Sequence, residues 1–285
     1  PLLLSSAASD VYKRQGLNSN LKRWPPELIQ GLVNQNLYVI TYDNRDTGKS
    51  TWPTKESAVI KFIKYMPVFI QEPIVDWFFD QMLDERGQFK MGGVPSQYNL
   101  EDMALDGISL LDHLKIDKAH IVGASMGGMI AQVIALKYPE RVKTFTGIMT
   151  TPGFDTAGLS GPYPEYVKAM RESFILTLQG KPYESSEVVN LALIGPSFLK
   201  LEYENLKKIL KSMAEHGNNP NSGHMAAVGS SPNRFKKLKE VSIPTLIIHG
   251  TEDPLIPVDH GEAIANQIKN SEKLIIEGMG HNFPT

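Results

Sequence analysis

The chain has 285 residues, with 29 basic against 31 acidic side chains for a formal net charge of -2, and 41% of its residues are hydrophobic. That balance fits a globular protein built on one large α/β domain, excludes a disordered chain, and gives no overall field toward nucleic acid or an anionic membrane, so a small-molecule partner is expected. The absence of cysteine excludes a disulfide framework, a thiolate metal site and a cysteine nucleophile, and with neither a signal-peptide pattern nor an apolar run near the roughly 18 residues of a membrane span the expected location is cytoplasmic.

From the N-terminus, Asp10-Val11-Tyr12-Lys13-Arg14-Gln15 resembles the translated end of a transposon adapter. Residues 1–15 are therefore set aside from fold reasoning, and native sequence is taken to start at Gly16. With a stop at Thr285 directly after a glycine-rich loop pattern, the expectation is a fold truncated at both ends. Residues 25–36 read as a helix with proline early, and the apolar, β-branched run 37–42 as a buried strand. Asn44, Asp46 and Gly48 mark a turn. Residues 100–116 repeat apolar side chains at helical spacing and lead to a short strand at 119–123, a helix ending near Tyr138-Pro139, and a strand at 142–150. Residues 152–239 are mostly helical and punctuated by prolines, which reads as an inserted lid. Strand patterns return at 244–249 and 273–277, with a helix near 261–269 between them. Alternation of this kind predicts a mostly parallel central sheet with helices on both faces, formed by residues 16–151 and 240–285.

Gly123-Ala124-Ser125-Met126-Gly127 stands between a predicted buried strand and a predicted helix, the context that a G-x-S-x-G nucleophile elbow requires. The glycines are needed because the serine sits on a sharp turn, where a Cβ on either side would crowd the strand or the helix. By composition alone about 0.1 such pattern is expected, and the flanking strand and helix lower that figure. A serine hydroxyl is a weak nucleophile at neutral pH, so a base must take its proton and a third group must hold the base in the correct tautomer.

Seven histidines compete for the role of base. His113 and His120 precede the serine in a helix and a strand, His216 and His224 fall in the lid, His249 ends a strand and His260 lies near a helix start. His281, in a loop with two glycines after the last strand, has the setting the base needs. For the acid, Glu252, Asp253 and Asp259 all follow the strand ending at His249. The turn Gly250-Thr251-Glu252-Asp253-Pro254 favours Asp253, just outside the carboxyl end of the strand, where parallel sheets build their sites. The oxyanion donors are expected at the backbone NH of Met126 and, in the earlier loop Gly16-Leu17-Asn18-Ser19-Asn20, at Leu17. The polar run from Tyr42 to Ser50 lacks phosphate-loop glycine spacing and reads as a turn tied together by its Asp and Arg side chains. Neither a metal-ligand set nor a dinucleotide fingerprint occurs, so no cofactor and no metal are implied.

With these residues in place the chain resembles the α/β-hydrolase superfamily, and within it the group of serine esterases that includes aclacinomycin methylesterase. The likeness rests on Trp24-Pro25, the turn from Tyr42 to Gly48 with Ser50-Thr51, Gly123 to Gly127, Gln132 to Leu136, and Gly278-Met279-Gly280-His281. The resemblance puts the family's nucleophile, acid and base on Ser125, Asp253 and His281, and it implies a carboxylic ester substrate, a methyl ester among the options. Family members carry further strands before the oxyanion loop and a helix after the histidine, which this chain is expected to lack.

The mechanism expected is attack by Ser125, with His281 as general base and then acid, Asp253 orienting the imidazole, and an acyl-enzyme resolved by water. Tyr163, Tyr166, Met170 and Phe174, with Leu191 and Leu193, are the candidates to line a substrate pocket in the lid. Two alternatives remain open: a proline iminopeptidase-like hydrolase, in which Glu172 or Glu187 would hold a substrate amine, and a non-catalytic ligand receptor on the same fold.

Overall fold

The computed structural model describes residues 18–85, 87–90 and 95–284, together with the backbone of residues 9–14. Among the described residues six parallel strands form one sheet: β1 (Ser9–Arg14), β2 (Leu37–Thr41), β3 (Ala119–Ala124), β4 (Val142–Ile148), β5 (Thr245–Gly250) and β6 (Ser271–Ile276), in the order β2-β1-β3-β4-β5-β6. β1 corrects the exclusion of residues 1–15 from fold reasoning. Its backbone pairs Val11 with Val39 of β2 on one side and with His120 of β3 on the other, which places it inside the sheet. An adapter-like sequence says nothing about pairing, because ladder hydrogen bonds are made by backbone that every residue carries.

Each crossover is helical. α1 (Pro26–Asn34) starts on proline and leads into β2; α4 (Leu100–His113) starts at a capping box in which Asn99 and Asp102 satisfy one another's backbone NH groups; α5 (Met126–Lys137) follows β3; and α10 (Val258–Gln267) joins β5 to β6. These agree with the sequence pattern to within a few residues. α5 is buried over its whole run from Met126 to Ala135, and so lacks a polar face. Burial on all sides is what a helix wedged between a sheet and a second helix requires. Phe145 of β4, with Ile121, Ile130, Ile134 and Leu111, fills the core on that side.

The region between β4 and β5 holds α6 (Pro164–Leu178), α7 (Pro182–Leu191), α8 (Leu199–His216) and α9 (His224–Ser230). Pro164 and Pro182 open helices here, where their missing NH costs nothing. Two further helices that the periodicity did not reveal, α2 (Ala58–Lys64) and α3 (Val68–Met82), precede β3. Val75 and Phe79 of α3 join Val167 and Leu178 of α6 in a separate small core, so the cap over the sheet draws on both segments.

The order of the strands fixes where a site can form. The chain steps from β1 outward to β2, then returns to β3 on the other side of β1, so the crossovers diverge at the carboxyl ends of β1 and β3 and leave a crevice there.

Candidate active site

Ser125 leaves β3 at that crevice with φ 55 and ψ -122, left-handed backbone that a serine adopts only under constraint. Its NH donates to the Ile148 carbonyl at 2.9 Å, while its own carbonyl accepts from Gly128 NH and from Thr150 Oγ1 at 2.8 Å. The glycines make the turn sterically feasible. A Cβ on Gly123 would lie 2.2 Å from the Gly127 carbonyl oxygen, and one on Gly128 would lie 2.6 Å from the Thr150 side chain. Because the Gly123 obstruction is backbone, Gly123→Ala is expected to cost at least about 3 kcal/mol of unfolding free energy, measured by urea denaturation. Met126 is the first residue of α5, so its NH has no preceding helical carbonyl to bond and faces the crevice end of the helix dipole. Leu17, the second expected donor, lies outside the described residues.

Backbone hydrogen bonds then step across the same edge of the sheet, from Met149 NH to the Ile248 carbonyl at 2.8 Å and from Thr251 NH to the Ile276 carbonyl at 3.1 Å. They fix the loops after β5 and β6 relative to the serine turn. Asp253, fully buried, follows β5; His281 follows β6, and its Nδ1 donates to Asp253 Oδ2 at 2.7 Å. The other carboxylate oxygen accepts from the NH groups of Leu255 and Ile256 at 3.0 and 2.8 Å. Burial alone would raise the Asp253 pKa, but the charge of His281 and hydrogen bonds from His249 and His281 outweigh it and hold the group at about 2. His281 therefore keeps its Nδ1 proton toward a permanent anion, and Nε2, buried and without a hydrogen-bond partner, is the nitrogen left with a free lone pair.

The competing groups are used elsewhere. Glu252 accepts from the backbone and hydroxyl of Ser197, and Asp259 accepts from Ser160 NH at 2.7 Å. His120 bonds Thr144, His216 bonds Asp43, and His260 is held between Thr151 Oγ1 and the Ser160 carbonyl. His249 donates Nε2 to the Ile256 carbonyl at 2.7 Å and stands 3.4 Å from Asp253 Oδ2, so a second imidazole braces the acid loop. The histidine loop is seated against the cap. His281 NH donates to the Leu193 carbonyl at 2.6 Å, and a Cβ on Gly280 would lie 2.2 Å from Gly195 N.

The polar turn after β2 is a tie, as its composition suggests. Asp43 accepts from Leu21 NH, Lys49 NH and His216; Asp46 accepts from Thr54, Tyr98, Asn219 and Gly223; Arg45 forks onto Asp106. Asn18 NH donates to Nδ1 of His224, whose Nε2 donates to the Arg45 carbonyl, so the loop ahead of Leu21, the polar turn and the cap are fastened by one neutral imidazole. Burial lowers the His224 pKa from 6.5 to about 4. The unfolded chain takes up this proton as the pH falls through 6.5 and the folded chain does not until about 4, so the stability it contributes is complete above 6.5 and is lost on acidification. Between pH 7 and pH 5 the loss is about 2 kcal/mol, to be read from urea midpoints, and it is expected to shrink in His224→Gln.

The four pocket candidates separate. Tyr166 is buried beneath the cap and feels the charge of Asp253. Met170 and Phe174 instead pack into the α3–α6 core, Phe174 stacking on Phe78, and Tyr163 is 43% exposed. Their helical spacing correctly marks a buried face but does not tell which neighbour that face meets. Of the acids considered for an amine, Glu172 is exposed on α6, and Glu187 is half-buried on α7.

A sharp serine turn, a carboxylate-held histidine and a cap at the carboxyl edge of a parallel sheet define a hydrolase architecture, and the model of the family described as alpha/beta hydrolase fold matches residues 15–284: the chain belongs to that family and is a hydrolase. It is 27% identical to rhodomycin D methylesterase DnrP of Streptomyces peucetius, over 94% of this chain and 83% of that protein. It is 30% identical to 2-hydroxy-6-oxononadienedioate/2-hydroxy-6-oxononatrienedioate hydrolase 1 of Pseudomonas putida, over 74% and 73%. Among solved structures it resembles the enol-lactonase from Burkholderia xenovorans LB400, with a TM-score of 0.68 at 16% identity over 97% of this chain and 85% of that one. Among the described residues no helix is long and apolar enough to cross a membrane.

Proposed function

We propose that the protein hydrolyses a carboxylic ester through an acyl-enzyme on Ser125. The observation that carries this reading is the His281 Nδ1–Asp253 Oδ2 bond of 2.7 Å combined with an unpartnered Nε2, at the same carboxyl edge of the sheet where Ser125 sits on its strained turn. Nε2 accepts the serine proton as Oγ attacks the carbonyl carbon; the imidazolium is stabilised by Asp253; and the NH of Met126 receives the developing oxyanion. The same proton is returned to the leaving alkoxide, and a water molecule repeats the sequence to release the acid. The likeness to a methylesterase over most of both chains supports a carboxylic, and in particular a methyl, ester. The test is an assay of p-nitrophenyl esters of several chain lengths beside proline anilide. Ester turnover is expected; anilide turnover alone would replace this reading by a peptidase.

A further inference from the structure

One cation under the cap has no structural task that explains it. Arg23 ends the short turn Leu21–Arg23 and reaches between the cap helices, where Nη1 donates to Asn190 Oδ1 of α7 at 2.5 Å. That is one acceptor for a group with five N–H donors, and the described carboxylates form no ion pair with it. A partly buried guanidinium left in this state forfeits hydration without regaining an anion, a cost that folds rarely retain for packing alone. Burial accordingly lowers its pKa to about 10, with the Tyr166 hydroxyl as the group that acts in the other direction.

The position of Arg23 relates it to the reacting groups. It lines a small cleft that opens to solvent, together with Ile194 and Leu206 of the cap and with Asn282 and Phe283, the two residues after the proposed base. Tyr166 feels the charges of both Arg23 and Asp253, which puts the guanidinium and the triad acid each within electrostatic reach of the same phenol. Glu202, on the α8 wall of the same cleft, is engaged by Asn205 at 3.3 Å. A carboxylate entering beside Arg23 would receive a planar fork of charge-assisted hydrogen bonds, the geometry that guanidinium groups match best.

We propose that Arg23 binds a carboxylate carried by the substrate away from its scissile bond, so that half-esters of dicarboxylic acids, or esters with a similar anionic arm, are preferred over neutral esters. This rests on the ester reading in taking the cleft as the place where substrate lies. Binding at a remote anion supplies energy that orients the ester at Ser125.

The experiment compares binding of monomethyl glutarate and methyl butyrate to the Ser125→Ala protein by calorimetry, which needs no turnover. The half-ester is expected to bind about tenfold or more tightly; Arg23→Met in the same background removes that preference, and Arg23→Lys retains part of it. Equal affinities for the two esters, or a preference that survives Arg23→Met, would overturn the assignment. Should Arg23→Met fail to fold, the comparison of esters and the Arg23→Lys protein decide the matter. Wild-type turnover reports separately: a protein that binds the half-ester through Arg23 but hydrolyses no ester keeps this site and loses the proposed reaction.

Discussion

Ser125→Ala is expected to lower kcat/KM toward an activated ester by about 10,000-fold to 1,000,000-fold, because the proposed reaction begins with attack by its hydroxyl. The fold should survive, since Ser125 Oγ takes no part in the hydrogen bonds that hold the turn; those come from its NH and carbonyl. A companion variant separates chemistry from stability. At φ 55 and ψ -122 a glycine is relaxed where serine is strained, so Ser125→Gly is expected to be as inactive as the alanine variant yet more stable than wild type by about 1 kcal/mol. Initial rates with p-nitrophenyl esters and urea midpoints measured on the same preparations check both halves.

Asp253→Asn is expected to cost about 10,000-fold in kcat with little change in shape. An asparagine has one oxygen where the aspartate uses two. If that oxygen keeps the NH groups of Leu255 and Ile256, the amide NH2 faces His281 Nδ1 and forces the proton onto Nε2, where the imidazole cannot act as a base toward Ser125. If the amide is turned the other way, its NH2 opposes two backbone donors in a fully buried site, and the loop carrying the acid is destabilised. His249, 3.4 Å from Asp253 Oδ2, gives no escape, because it too presents a donor. With the Asp253 pKa held at about 2, its protonation does not contribute to any loss of activity between pH 7 and pH 5. Stopped-flow burst kinetics distinguish the expected slow acylation from a defect in deacylation.

What could be read from the residues, and what could not, divides along a physical line. The alternation of strands with helices was legible because strands packed between helices are predominantly apolar, as the β-branched and apolar stretches of Leu37–Thr41, Ala119–Ala124 and Thr245–Gly250 are. The choice of Asp253 over Glu252 and Asp259 followed from where a strand ends. β1 escaped notice because its residues carried another resemblance, while the pairing that places it depends on backbone. α2 and α3 escaped because their side chains are apolar on the outside as well: Val59, Phe62, Phe69 and Trp77 are all exposed, so the contrast between faces that reveals a helix is weak. Arg23 was invisible for a different reason. No motif assigns it a role, and the cleft it lines exists only once α7, α8 and the histidine loop have come together around it.

The central claim is that the Ser125 hydroxyl is the nucleophile, and covalent capture tests it most directly. The protein is treated with a fluorophosphonate, digested, and mapped by mass spectrometry. One adduct is expected, on Ser125, formed quickly at neutral pH, absent in Ser125→Ala and strongly slowed in Asp253→Asn. Stoichiometric labelling of a different residue, or labelling that persists in Ser125→Ala, would contradict the account.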